Sequence, residues 1–310
     1  MNDADSIIKT LTFFELFEHP LTGFEIFKWL YGPEPRGLAE ILSASREDSA
    51  IKEVNGFFFL GDEKEGERLV RKRQERLADN DEKMRQAQKA TRLISWVPFI
   101  KLAAVCNTLS FGAAEADSDI DFFIVARKGR IWTVRLFVTA VLSLFGLRRH
   151  GRKIANRVCL SFFITDDNLD LQSIALPGFL PDIYLIYWIT QLAPLIDRKN
   201  TLEKFWQANS WVKTYLPNFS FDTQLPDYRQ ISIPNWIEKW RLFHERVMGG
   251  RLGDWREKAL RRLQLTKMTK KERSRRAADS RVVISDQMLK FHEEDRREEY
   301  RQEWQKKASS

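Results

Sequence analysis

The residues able to do chemistry concentrate in one window of this 310-residue chain, Val105 to Val125, which ends Asp117-Ser-Asp-Ile-Asp-Phe-Phe-Ile-Val. If 119–125 is a strand, its period of two sends the carboxylates of Asp119 and Asp121 from one face, while Ile120 and Phe122 pack on the other. Two such carboxylates repel each other unless a cation lies with them. A hard divalent ion, Mg²⁺ or Mn²⁺, accepts oxygen ligands of this kind and fills its other positions with water and phosphate oxygens. An ion held there polarises a phosphoryl group and acidifies a hydroxyl nucleophile. Upstream, Asn107-Thr-Leu-Ser-Phe-Gly112 lies where a strand gives way to a turn, and backbone N–H groups with a hydroxyl there can receive phosphate oxygens.

These groups need a scaffold. Phe99 to Cys106 reads as a buried strand, Ile120 to Ala126 as a second, Ile131 to Leu147 as a helix and Arg157 to Thr165 as a third strand. That alternation predicts an α/β (α+β) sheet. Trp132 and Arg135 are expected to pack the helix onto the sheet and its rim, and Lys290-Phe-His292, after a strand over Arg281 to Ser285, to close back on the core.

Together, strand, hydroxyl-bearing turn, ten-residue spacer from Thr108 and Asp119-Ile-Asp121 resemble the nucleotidyltransferase superfamily related to DNA polymerase β, over about a quarter of the chain. In that family a Gly-Ser pair occupies the place of Asn107-Thr108. The resemblance implies a small mixed-sheet core and transfer of a nucleoside monophosphate from an NTP to a hydroxyl acceptor, with pyrophosphate released. It implies Asp119 and Asp121 as catalytic metal ligands, and Asn107, Thr108 and Ser118 as nucleotide contacts. The family's third carboxylate has no counterpart within Val158 to Ile164, which leaves Asp166, Asp167 and Asp170 just beyond it. A second reading stays open, a catalytically degenerate adaptor or regulator that binds a protein or nucleic-acid partner.

On the N-terminal side, residues 1–62 read as three helices and a hairpin turning at Asn55-Gly56, an arrangement that resembles a winged helix. Ten acids against five bases over residues 1–60 make this module a poor reader of DNA phosphates and favour a protein contact. Residues 63–96 are charged and sparsely apolar, as expected of a solvated connecting helix, and the core follows over 97–180. A helical region is expected over 181–250 and a basic helical segment over 251–310, where Arg256 to Arg276 carries ten bases and two acids and offers a polyanion contact.

Composition narrows the class. Hydrophobic residues at 43% exclude wholesale disorder, and two cysteines, Cys106 and Cys159, exclude a disulfide framework and point to a reducing cytoplasm. The acidic start lacks the basic flank of an export signal. Ile131 to Leu147 is too short and is broken by Arg135, so no membrane partner is expected. His19, His150, His244 and His292 show no metal-ligand spacing and are assigned to surface or packing positions.

Overall fold

The computed structural model describes residues 3–151, 153–220, 229–271, 282–291 and 295–308. The chain is mixed α/β. It begins with α1 (Asp3–Glu15), β1 (Leu21–Thr22), α2 (Gly23–Lys28), α3 (Leu38–Glu47), β2 (Ile51–Val54) and β3 (Phe57–Leu60), the strands ordered β1-β3-β2. Thr22 caps α2 through a reciprocal box, its hydroxyl accepting from the Glu25 N–H while the Glu25 carboxylate accepts from the Thr22 N–H at 2.8 Å. The β2–β3 turn places Asn55 and Gly56 at φ of 52° and 81°, the left-handed pair that a tight hairpin needs.

Next comes α4 (Glu63–Ile94), 32 residues long and capped by Asp62, which accepts from the Glu65 N–H. The central sheet follows, ordered β7-β4-β5-β6-β9-β8, from β4 (Ile100–Val105), β5 (Ile120–Ala126), β6 (Val158–Thr165), β7 (Ala193–Asp197), β8 (Val282–Ile284) and β9 (Met288–Phe291). Strands β5 and β6 run parallel, joined across α5 (Ile131–Leu144), and the other pairings are antiparallel. Parallel neighbours require such a crossover. The remaining helices are α6 (Ile183–Thr190), α7 (Thr201–Ala208), α8 (Asn235–Val247), α9 (Gly250–Lys271) and α10 (Arg297–Ala308).

The sheet therefore departs from the expected boundaries in two places. Strand β7 lies within 181–250 and pairs with β4, and within 251–310 β9 pairs with β8, the strand expected over Arg281 to Ser285, so neither stretch is wholly helical. Ala193-Pro-Leu-Ile-Asp197 is a short buried run without alternation, which periodicity does not separate from the end of a helix. Nor is the N-terminal segment packed alone. Ile7, Leu11, Phe13 and Phe14 share one buried cluster with Phe123 and Phe162 of the sheet and Tyr187 of α6. The rings of Phe13 and Tyr187 stack at 4.0 Å, and the Tyr187 hydroxyl donates to the Trp29 carbonyl. At the other end of the chain, the Trp304 indole of α10 donates to the Lys9 carbonyl at 2.9 Å, and Lys307 pairs with Glu15.

His19 is buried between Phe14 and Phe111, and among the described residues neither ring nitrogen has a hydrogen-bond partner. Burial, with the charges of Arg73 and Arg76, holds its pKa well below the usual histidine value. Its folded pKa lies below its unfolded one, so the unfolded chain takes up the proton first and stability falls as pH drops below about 6.5. We expect the urea midpoint of the protein to decrease from pH 7 to pH 5, and His19→Leu to flatten that decline, by up to about 1.4 kcal/mol per pH unit. An identical slope in the variant would refute this.

Candidate functional site

The strand runs from Ile120 as expected, so Asp119 stands in the last position of the loop before it and Asp121 is its second residue. The period of two still holds. Ile120, Phe122 and Ile124 enter the core cluster that includes Trp132 and Val138 of α5, while Phe123 and Val125 enter the opposite one beside α6. Asp121 shares the α6 side. One ligand atom each from Asp119, Asp121 and Cys159 lies within 4.8 Å of the other two. Cys159 reaches this position because it is the register partner of Asp121 across the parallel β5–β6 pair.

Each carboxylate has a defined partner. The Asn107 side-chain amide donates to Asp121 Oδ2 at 2.6 Å, and the Asn107 carbonyl oxygen accepts from Trp188 Nε1 at 2.9 Å and the Tyr184 hydroxyl at 3.1 Å. Tyr184 and Trp188 stand one helical turn apart on α6 and so share a face. Asn107 has φ of 57°, the left-handed region where asparagine replaces glycine at least cost, and it opens a 3₁₀ turn over Asn107–Phe111. Arg149, held beside β6 by its N–H to the Val158 carbonyl, places Nη1 2.6 Å from Asp119 Oδ2.

Burial and the neighbouring charge of Asp119 push Asp121 up to about 6. Burial and the same two carboxylates raise the Cys159 thiol far above its ordinary range, which keeps it protonated. Two oxygens and one sulfur are thus the donor set. Two carboxylates suit one hard divalent ion completed by water and phosphate, whereas the thiol is a soft donor. These residues fit one such cation.

The loop that carries Asp119 is held from α4. Lys83, 1% exposed, donates from Nζ to the carbonyls of Ala116 and Ser118 and to Asn156 Oδ1, at 3.0, 2.8 and 2.8 Å. One turn before it, Asn80 bonds both the N–H and the carbonyl of Ala114, and Arg76 pairs with Glu115. Ser118 is part of this lattice. Its hydroxyl donates to the Glu115 carbonyl at 2.9 Å and so ties the loop to itself. Thr108 lies half-buried in the 3₁₀ turn at the same end of the sheet, and among the described residues no hydrogen bond links it to the aspartates.

The three candidates for a third carboxylate lie elsewhere. They follow Thr165, the register partner of Ala126, whereas Cys159 pairs with Asp121, so at least five residues of parallel strand, about 17 Å, separate them from the site. Asp166 accepts from the Lys128 N–H, Asp167 from Thr165 and Lys128, and Asp170 from the Gln172 N–H. They order loops. Trp132 is buried as expected, and Arg135 bonds Gln264. A cavity of about 160 Å³ lies beside the site, lined by Asn107, Tyr184, Trp188, Lys290, Arg296 and Tyr300 among others. Asn107 joins it to Asp121, but neither carboxylate lines it.

Cys159, Arg149 and Lys83 were not singled out by the sequence. The signal for Cys159 was its place early in the strand expected over Arg157 to Thr165, but that strand's direction and register were missing. For Lys83 it was a lysine spaced three and seven residues from Asn80 and Arg76, one inward helical stripe. Comparison with family models, curated proteins and solved structures finds no match.

Two outcomes test this geometry. Lys83→Met removes three bonds to a buried ammonium and strands two carbonyls, and we expect a loss of about 2–4 kcal/mol in urea unfolding. An unchanged midpoint would contradict the anchoring role. Asp121 has a folded pKa above its unfolded one, so its contribution is intact below about pH 4 and lost as pH rises through about 6. Without divalent ions, Asp121→Asn is therefore expected to be more stable than the parent at pH 8, with the gap closing toward pH 4 in thermal melts.

Proposed function

We propose that the chain is a nucleotidyltransferase that moves a nucleoside monophosphate from an NTP to a hydroxyl acceptor, with Asp119 and Asp121 holding Mg²⁺ or Mn²⁺. The observation that carries this reading is the approach of Asp119, just before β5, and Asp121, within it, to within 4.8 Å of each other. Asp121 is oriented by Asn107, which is itself locked to α6, and Asp119 is oriented by the loop that Lys83 gathers. When bound, the cation supplies Lewis-acid polarisation of the phosphoryl group. Arg149 now neutralises Asp119, and its planar guanidinium suits a triphosphate oxygen once that carboxylate is otherwise engaged. The Thr108 hydroxyl and the amides of its turn stand at the same sheet end as nucleotide contacts. With Cys159 protonated, the site has no evident general base for the acceptor hydroxyl.

The N-terminal segment is read as a winged-helix-like module in a protein-contacting role, in keeping with its net acidity. The free thiols of Cys106 and Cys159 suit a reducing, cytoplasmic setting.

A second reading, a binding-only regulator, is favoured by two observations. The third donor is a thiol where the family has a carboxylate, and an arginine already neutralises Asp119.

One assay separates them. The protein is incubated with each α-labelled NTP, Mg²⁺ or Mn²⁺ and a cell extract. We expect metal-dependent label on an acceptor, lowered about a thousandfold or more in Asp119→Ala and Asp121→Ala. No label with any NTP, together with partner capture that survives both substitutions, would establish the regulator instead.

A further inference from the structure

Helices α8 and α9 are folded with their polar sides inward. On α8, Glu238 and Glu245 face the core: Glu238 pairs with Arg198 and Arg241 at 2.7 Å, and Glu245 accepts the Phe99 N–H at 2.7 Å. On α9, buried Glu257 accepts the N–H groups of Trp132 and Thr133, the open N-terminus of α5, and Gln264 donates to the Trp132 carbonyl. Gly253 permits this close packing, since a Cβ there would lie 1.9 Å from the Met248 carbonyl oxygen.

Met248, Leu260 and Leu265 reach the core, but most of the other large apolar side chains are left outside. Trp236, Trp240, Phe243 and Val247 follow i, i+4, i+7, i+11 spacing and form one stripe along α8, with Trp236 and Trp240 70% and 52% exposed. Leu252, Trp255 and Leu263 continue it on α9, where Trp255 is 69% exposed. Beside the stripes stand Lys239, Arg246, Arg251, Arg256, Lys258 and Arg262, all exposed and without an acidic partner among the described residues. Asp254, exposed on α9, is paired with Arg130.

Water is a poor neighbour for such a face, and its charge decides the occupant. A second copy would bring the same six cations against these, which disfavours self-pairing. Nucleic acid phosphates would satisfy the cations, yet Val247, Leu252 and Leu263 would bury nothing against them. A bilayer surface with anionic headgroups satisfies both, since indoles and aliphatic side chains enter the interface while lysines and arginines meet lipid phosphates. No helix among the described residues is long and apolar enough to cross a membrane. Lying on one is a different demand, met by a short apolar stripe flanked by cations.

We propose that the paired outer face of α8 and α9 seats this protein on an anionic phospholipid surface. The full chain is mixed with phosphatidylcholine vesicles prepared with and without phosphatidylglycerol, then sedimented. Binding is expected with phosphatidylglycerol only and weakened by salt. Trp240→Ser with Phe243→Ser, and separately Arg256→Glu with Arg262→Glu, are each expected to lower partitioning about tenfold or more. Trp255→Ser with Leu263→Ser repeats the test on α9 should the α8 pair disturb the fold by circular dichroism. Absence of binding to phosphatidylglycerol vesicles overturns the proposal, as does undiminished binding by the variants. RNA binding or dimerisation that needs Trp240 and Phe243, in a protein that ignores vesicles, reassigns the face and overturns it too.

Discussion

A single buried ammonium organises the approach to the candidate site. Lys83 Nζ gathers two backbone carbonyls from the loop before β5 and the side-chain oxygen of Asn156 from the segment before β6. A lysine removed from water is costly unless its donors are filled, and three acceptors fill them here. The penalty still registers, since burial lowers its pKa despite the nearby charges of Asp79, Asp117 and Asp119. The loop therefore cannot drift without exposing a desolvated charge. Asp119 inherits that fixity through its neighbour Ser118.

The same helix shows why part of the fold could not be read. A stretch as charged as 63–94 looks solvated, because a lysine facing inward and one facing water are the same letter. Only the partners distinguish them. The spacing of Asp119 and Asp121 was legible for the opposite reason, since on an extended chain a separation of two has one geometric consequence. The strands that flank them were legible as apolar runs. Cys159 was not, because a register shift between Asp121 and Phe123 sets which β6 residue meets the carboxylates. Asp166, Asp167 and Asp170 looked near in sequence to the right strand but stand at its wrong end, a distinction that only strand direction makes. In α8 the hydrophobic pattern was legible but its direction was not, because Glu238 and Glu245 find partners in the core and turn the stripe outward.

Asparagine at 107 changes what that turn does. A glycine would leave open backbone, whereas the amide ties a carboxylate to two aromatic donors on α6. Motion of α6 is thereby communicated to Asp121, and α6 packs against α1 and α10. The candidate centre is mechanically connected to both ends of the chain.

The contact of Trp304 with Lys9 spans 295 residues of sequence. A contact of that separation forms only after the intervening chain has been drawn together, so the pairing of α1 with α10 carries a loop-closure cost that local contacts do not. Phe13 and Phe14 meet Tyr187 of α6, and Phe14 and Trp29 meet Phe111, so these rings too are covered by residues far away in sequence. The packing of α1 is therefore a non-local event, whose weight falls on the folding rate more than on the final stability.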